Sequence, residues 1–195
     1  MENKVDIINQ LIRTRRTVKP EKYAEKTVDK EIILNIVENA KWAPTHGLTQ
    51  PWRFRIFYGK GLEIFGDFHA EAYRKSTTDE TFKQKKYDQF KNRPLNSSAL
   101  IAICMKRQKT EKIAEIEEIE AIACAVHNMH LTATAYGITC YWGTGGMTYS
   151  NEMKEFLGLD EKDKCLGLFH IGYPDIEWPE AKRNPASEYC EWIEE

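Results

Sequence analysis

Residues 111–136 carry the pattern that most limits what this chain can fold into. They read as one long helix. Its first half is acidic on the outside, with Glu115, Glu117, Glu118 and Glu120. Its second half is smooth and apolar, with Ala121, Ile122, Ala125, Val126, Met129 and Ala133 at helical spacing. Gly137 stands where helices commonly end. The small residues let another helix approach closely, which suits a core helix and a dimer interface equally well.

What can surround such a helix is set by the rest of the chain. The 195 residues suffice for one well-packed domain and are few for two, so residues 1–195 are expected to form a single domain. The 42% hydrophobic and 30% charged composition fits a globular protein. With 28 basic and 30 acidic side chains, no bulk field draws the chain to nucleic acid or a membrane surface. An anion site must therefore be local. The longest apolar run, Ala99 to Met105, is too short to span a bilayer. The stretch Met1-Glu2-Asn3-Lys4-Val5-Asp6 lacks the apolar core of a signal peptide. Five scattered cysteines without a CxxC pattern read as buried reduced thiols, and a cytoplasmic location is expected.

Periodicity supplies the other elements. Val5, Ile8, Leu11 and Ile12 predict a first helix over 3–14. A second runs from about Asp29 to Trp42, with Asp29 or Thr27 as cap, and stops at Ala43-Pro44. Trp52 to Tyr58 alternates as a strand. Residues 62–93 predict two helical pieces around Ser76-Thr77-Thr78-Asp79; aromatic and charged, they read as a candidate lid. A buried strand is expected at Ser98–Lys106, a strand entering the glycine loop at Ile138–Trp142, a further apolar strand at Leu166–Tyr173, and a short helix at Asn151–Leu157. Helices first, then strands separated by helices, give an α+β domain.

Three groups of residues have chemical potential. Arg13, Arg15, Arg16, Thr17 and Lys19 set five hydrogen-bond donors within seven residues. Some basic residues at a helix C-terminus merely answer its dipole. Arginine forks beside a hydroxyl are also how proteins grip phosphate oxygens. The loop Thr45-His46-Gly47-Leu48-Thr49-Gln50-Pro51, dense in donors and acceptors, can hydrogen-bond the edge of a planar heterocycle; a surface histidine is the plainer reading of His46. The run Tyr141-Trp142-Gly143-Thr144-Gly145-Gly146 lets backbone lie against a flat ligand and offer its N–H groups, or is a plain turn. Thr148 stands where the last glycine of GxGxxG would fall, which excludes a Rossmann fingerprint. His127 and His130 lack an evident third metal ligand, so no metal site is expected.

Taken in order, these groups resemble the nitroreductase family along nearly the whole chain. Arg15-Arg16-Thr17, Gln50-Pro51-Trp52, the helix segment 125–131 with Asn128, and the glycine loop carry the likeness. The resemblance implies a nitroreductase-like fold, a central mostly antiparallel sheet flanked by helices, in an intertwined homodimer that binds FMN at its interface. Arg15 matches the phosphate-binding arginine; Arg16 and Thr17 match its neighbours along the phosphate and ribityl chain. Lys19 matches a basic residue near the flavin's pyrimidine edge. Gln50, with Thr45 and His46, matches the loop that arrives from the partner subunit. Trp142, Gly143, Thr144 and Gly145 match the stretch facing flavin N5 and O4, and Arg183 a basic residue closing on the phosphate. Leu48 and Thr144 depart from the family, which commonly has asparagine and an acidic residue there.

The activity implied is hydride transfer from NAD(P)H through flavin N5 to an electron-poor small molecule such as a nitroaromatic or quinone, in ping-pong fashion. The flavin carries the chemistry, so no catalytic acid or base is expected. Tyr87 and Phe90 are candidates for the substrate wall. The alternative is an FMN-binding sensor or store without efficient turnover.

Overall fold

A computed structural model describes residues 3–194; Met1, Glu2 and Glu195 lie outside the described residues, and with them part of the N-terminal expectation. The element order is α1 (Lys4–Thr14), α2 (Lys30–Ala40), β1 (Trp52–Tyr58), α3 (Lys60–Lys75), α4 (Gln84–Asn92), β2 (Ala99–Met105), α5 (Glu115–Ala135), β3 (Thr139–Gly143), α6 (Asn151–Phe156) and β4 (Lys164–Gly172). This is the expected α+β architecture. The four strands pair antiparallel in the order β1-β2-β4-β3.

Strand β2 explains the layering. All seven of its residues are buried, so both faces of the sheet are covered. Ala99, Ile101, Ile103 and Met105 meet α2 and α5 in one core, with Phe169 and Ile171 of β4. Leu100, Ala102 and Cys104 point the other way, onto Leu62 and Phe65 of α3 and Met153 of α6. Period two in the strand thus separates two cores.

Helix α5 belongs to the first core. Its small residues Ala121, Ala125 and Ala133 are buried within the chain, against the sheet and α2. The two readings of that stripe are thereby resolved in favour of a core helix, and the stripe no longer argues for a dimer. The helix also starts four residues later than expected. Glu111 takes a positive φ of 50°, and Arg107 and Gln108 donate side-chain hydrogen bonds to the Ile113 carbonyl, so residues 107–114 are a folded loop.

Residues 62–93 contain the two expected helices, but α3 is not a lid. It buries Leu62, Phe65, Gly66, His69, Ala70, Ala72 and Tyr73 and forms a structural layer. Gly66 lies so close to α4 that a Cβ would fall 2.2 Å from the Lys91 carbonyl oxygen. Helix α1 is the opposite case. None of its residues is buried, and its apolar face (Val5, Ile8, Ile12) lies 45–57% exposed. Asp29 holds the N-cap position of α2 with no side-chain hydrogen bond.

Candidate functional site

The basic group sits where α1 ends. Arg15 is the C-cap, its amide donating to the Leu11 carbonyl. Beyond it, Thr17 forms a parallel bridge with Cys140, so the chain runs along the open edge of β3. This brings the first and third residue groups together, two strand positions before Trp142. The Arg15 Nη1 donates to the Thr17 hydroxyl at 3.2 Å. The tail folds back here as well: the Trp178 indole donates to the Thr14 carbonyl. Burial, then the charges of Arg183 and Arg16, lower the pKa of the Arg15 guanidinium from its ordinary value. Among the described residues no carboxylate forms an ion pair with Arg15, Arg16 or Arg183. Like charges held together without a counter-ion are costly, and an anion relieves that cost.

Within this cluster the arginines differ. Arg16 donates from Nε to the Pro179 carbonyl and from Nη1 to the carbonyls of Arg13 and Arg15. Those bonds bind the tail to the end of α1. Among the described residues Arg15 and the exposed Arg183 each make one side-chain hydrogen bond, Arg183 to the Lys182 carbonyl, which leaves most of their donors unused there. Lys19 is exposed, just before the short turn Pro20–Lys22.

At the end of β3, donors also lack partners. The Trp142 indole N–H is buried with no acceptor. It packs over Gly167, where a Cβ would fall 2.0 Å from the indole nitrogen. Thr144 and Gly145 are exposed, and their amides find no backbone acceptor among the described residues. Thr148, fully buried, donates to the Gly145 carbonyl at 2.7 Å and shapes the turn.

The second group lies elsewhere. His46–Leu48 is a tight turn against α5, where the His46 ring pairs with Glu117. Thr45 meets the Thr49 hydroxyl at 3.1 Å and accepts from the Gln50 amide. Leu48 and Gln50 both adopt positive φ, 53° and 46°. Such strain in non-glycine residues is commonly retained where a loop has work to do. Glu117 and His130, the residue that faces Arg15, are thirteen positions apart on α5, about 20 Å at 1.5 Å per residue. Within one chain, therefore, Thr45, His46 and Gln50 do not meet Arg15 and Thr17.

One set of polar residues was missed. Behind the glycine loop, on the α3 face of the sheet, a cavity is lined by His69, His170, Tyr141, Arg93 and Phe90. The Phe90 ring lies there against His69, while the half-buried Tyr87 is hydrogen-bonded to Glu71 at 2.5 Å. His69 and His170 are 5% and 4% exposed. Burial, then the charge of Arg93, lowers the His69 pKa to about 4; burial, then Arg93 and His69, lowers that of His170 to about 3. The only sequence signal was His170 within the apolar run of β4; His69, in the aromatic and charged stretch 62–93, gave none.

Comparison with known proteins bears on these arrangements. The family model described as "Nitroreductase family" matches residues 12–173. The chain belongs to the Nitroreductase family. A Bacillus subtilis relative, provisionally named NAD(P)H nitroreductase YfhC, is 29% identical over 91% of this chain and 89% of its own length. The crystal structure of a nitroreductase-like family protein from Bacillus cereus superposes with a TM-score of 0.84 at 30% identity, covering all of both chains. A structure from Desulfovibrio desulfuricans, provisionally named a nitroreductase and solved in complex with FMN, shares the fold with a TM-score of 0.70 at 23% identity, over 100% of this chain and 98% of its own.

Proposed function

We propose that this family member is an FMN-dependent oxidoreductase that uses NAD(P)H and acts as a homodimer. The observation carrying this reading is the cation cluster of Arg15 and Arg183 without a counter-ion, at the edge of the strand that leads to the exposed, unpartnered amides of Thr144 and Gly145. That donor set suits a phosphate at one end and a flat, acceptor-rich ring at the other. Support comes also from the FMN in the Desulfovibrio desulfuricans neighbour and the NAD(P)H in the name of the Bacillus subtilis relative.

In this reading Arg15, Arg183 and Thr17 hold the phosphate and ribityl chain, and Arg16 acts chiefly by fixing the tail. Lys19 supplies positive charge near the pyrimidine edge. The backbone of Trp142, Gly143, Thr144 and Gly145 orients the ring's N5 and O4 side. When bound, FMN supplies hydride chemistry; the protein holds, orients and excludes water. Thr45, His46 and Gln50, about 20 Å from the cluster along α5, complete the site from the other protomer. The uncovered apolar face of α1 argues for a partner chain of the same kind. The acceptor is an electron-poor small molecule such as a nitroaromatic or quinone. No helix among the described residues is long and apolar enough to cross a membrane, and a cytoplasmic site of action accords with five free cysteines.

The test is direct. The purified protein is expected to be yellow, to hold about one FMN per chain, and to bleach when NADH or NADPH is added without oxygen. A colourless protein that takes up no FMN overturns the reading. A yellow protein that neither nucleotide bleaches is a flavin sensor or store instead.

A further inference from the structure

We infer that His69 is a positioning residue that sets the glycine loop against the bound cofactor. The inference rests on the FMN reading above. His69 lies on α3, not on the loop, and the loop comes to it. Its Nε2 accepts a hydrogen bond from the Met147 amide at 3.1 Å, which requires a neutral ring with its proton on Nδ1. The ring is fixed on both sides. It stacks on Phe90 with centroids 4.5 Å apart and meets the edge of Phe65 at 5.5 Å.

The loop is built to receive it. Gly146 has φ of +68°, and a Cβ there would lie 2.4 Å from the His69 Nε2 and 2.9 Å from the Phe90 ring. Only glycine permits both the backbone angle and the approach. A second tether is weaker: the Ser76 hydroxyl reaches the Met147 sulfur at 3.5 Å. Between β3 and this anchor, Thr144 and Gly145 stand exposed with free amides. Their position is therefore fixed at one end by the β3–β4 pairing of Gly143 with Leu168 and at the other by His69. His69 points its acceptor at the Met147 amide. It acts through the loop.

The experiment compares His69→Leu with His69→Gln in the FMN-loaded protein. Glutamine's Oε1 can stand where Nε2 stands and still accept from Met147; leucine fills the space and cannot. FMN content is measured first, since wild-type protein without flavin condemns the cofactor reading and not this one. With flavin bound, the leucine variant is expected to slow bleaching by saturating NAD(P)H roughly tenfold to a hundredfold, the scale of a loop misplaced by about 1 Å. Its visible flavin bands and midpoint potential should shift as well, and glutamine should restore the rate to within about threefold, by the same geometric argument. Wild-type behaviour of the leucine variant overturns the inference, as does equal impairment of both variants. Should neither variant fold, nitrogen NMR of the wild-type protein decides: an unprotonated Nε2 at His69 supports the role, and an Nε2–H tautomer refutes it.

Discussion

Lowering the pH from 7.5 to 5 should remove about 6 kcal/mol of this protein's stability, and three histidines set the amount. His69, His130 and His170 are 5%, 9% and 4% exposed. Burial is the leading cause in each case, with the charge of Arg93 or Arg15 second, and it lowers their pKa values from 6.5 to about 4, 3 and 3. In the unfolded chain each takes up a proton near pH 6.5; in the folded chain none does until far lower. Their contribution is therefore complete above pH 6.5 and is lost as pH falls toward 4 and then 3. At pH 5 each has lost about 2 kcal/mol, so the three together cost about 6 kcal/mol, against a usual total of about 5–15 kcal/mol. The local slope is about 4 kcal/mol per pH unit, equal to three protons taken up on unfolding. Ordinary carboxylates titrate near pH 4, so the window from 6.5 to 5 belongs to the histidines. Urea unfolding of FMN-free protein across that window, at fixed chain concentration, measures the slope. Each single His→Asn variant should lose about a third of it. A wild-type slope below about 1 kcal/mol per pH unit at pH 5 would refute the argument.

Other perturbations have equally definite outcomes. Gly66→Ala should destabilise by about 2 kcal/mol or more in thermal melts despite alanine's better helix propensity, because the new Cβ meets the Lys91 carbonyl oxygen at 2.2 Å. Glu118→Ala should cost about 3–5 kcal/mol in urea unfolding, since it leaves the Arg107 guanidinium buried and unpaired, and replacing both by apolar residues should cost much less. Arg15→Ala should weaken FMN binding roughly tenfold to a hundredfold by fluorescence titration, the worth of one or two charge-assisted hydrogen bonds, and flatten its dependence on salt.

What the sequence disclosed follows from what periodicity can report. The apolar runs near 99–105 and 164–172 were legible because strands covered on both faces demand them, and the alternation at Trp52–Tyr58 because that edge strand leaves Arg53 and Arg55 exposed. Helical spacing on α5 was equally plain, but spacing does not say which surface covers the small residues; the sheet and α2 took them, and α1 was left bare. The buried layer formed by α3 was hidden within 62–93 because charged positions such as Glu63 and Asp67 alternate with its interior face. The basic run shows the same limit. Arg15 and Arg16 are neighbours of one type, yet only the fold reveals that Arg16 spends its donors on the carbonyls of residues 13, 15 and 179. His69 was unreadable for a related reason: its partner, the Met147 amide, is a backbone group 78 residues away.

The bare face of α1 carries a consequence for how such a protein matures. An eleven-residue helix with no buried side chain is marginal in water on its own. Arg15 caps that helix, and Trp178 hooks the tail onto its last turn. The cation cluster is thus only as well ordered as whatever covers α1. If the proposed dimer is what covers α1, an unpaired chain should fray at the residues expected to capture the cofactor. In the proposed homodimer, cofactor loading is then expected to follow assembly, because ordering of the cation cluster depends on what covers α1.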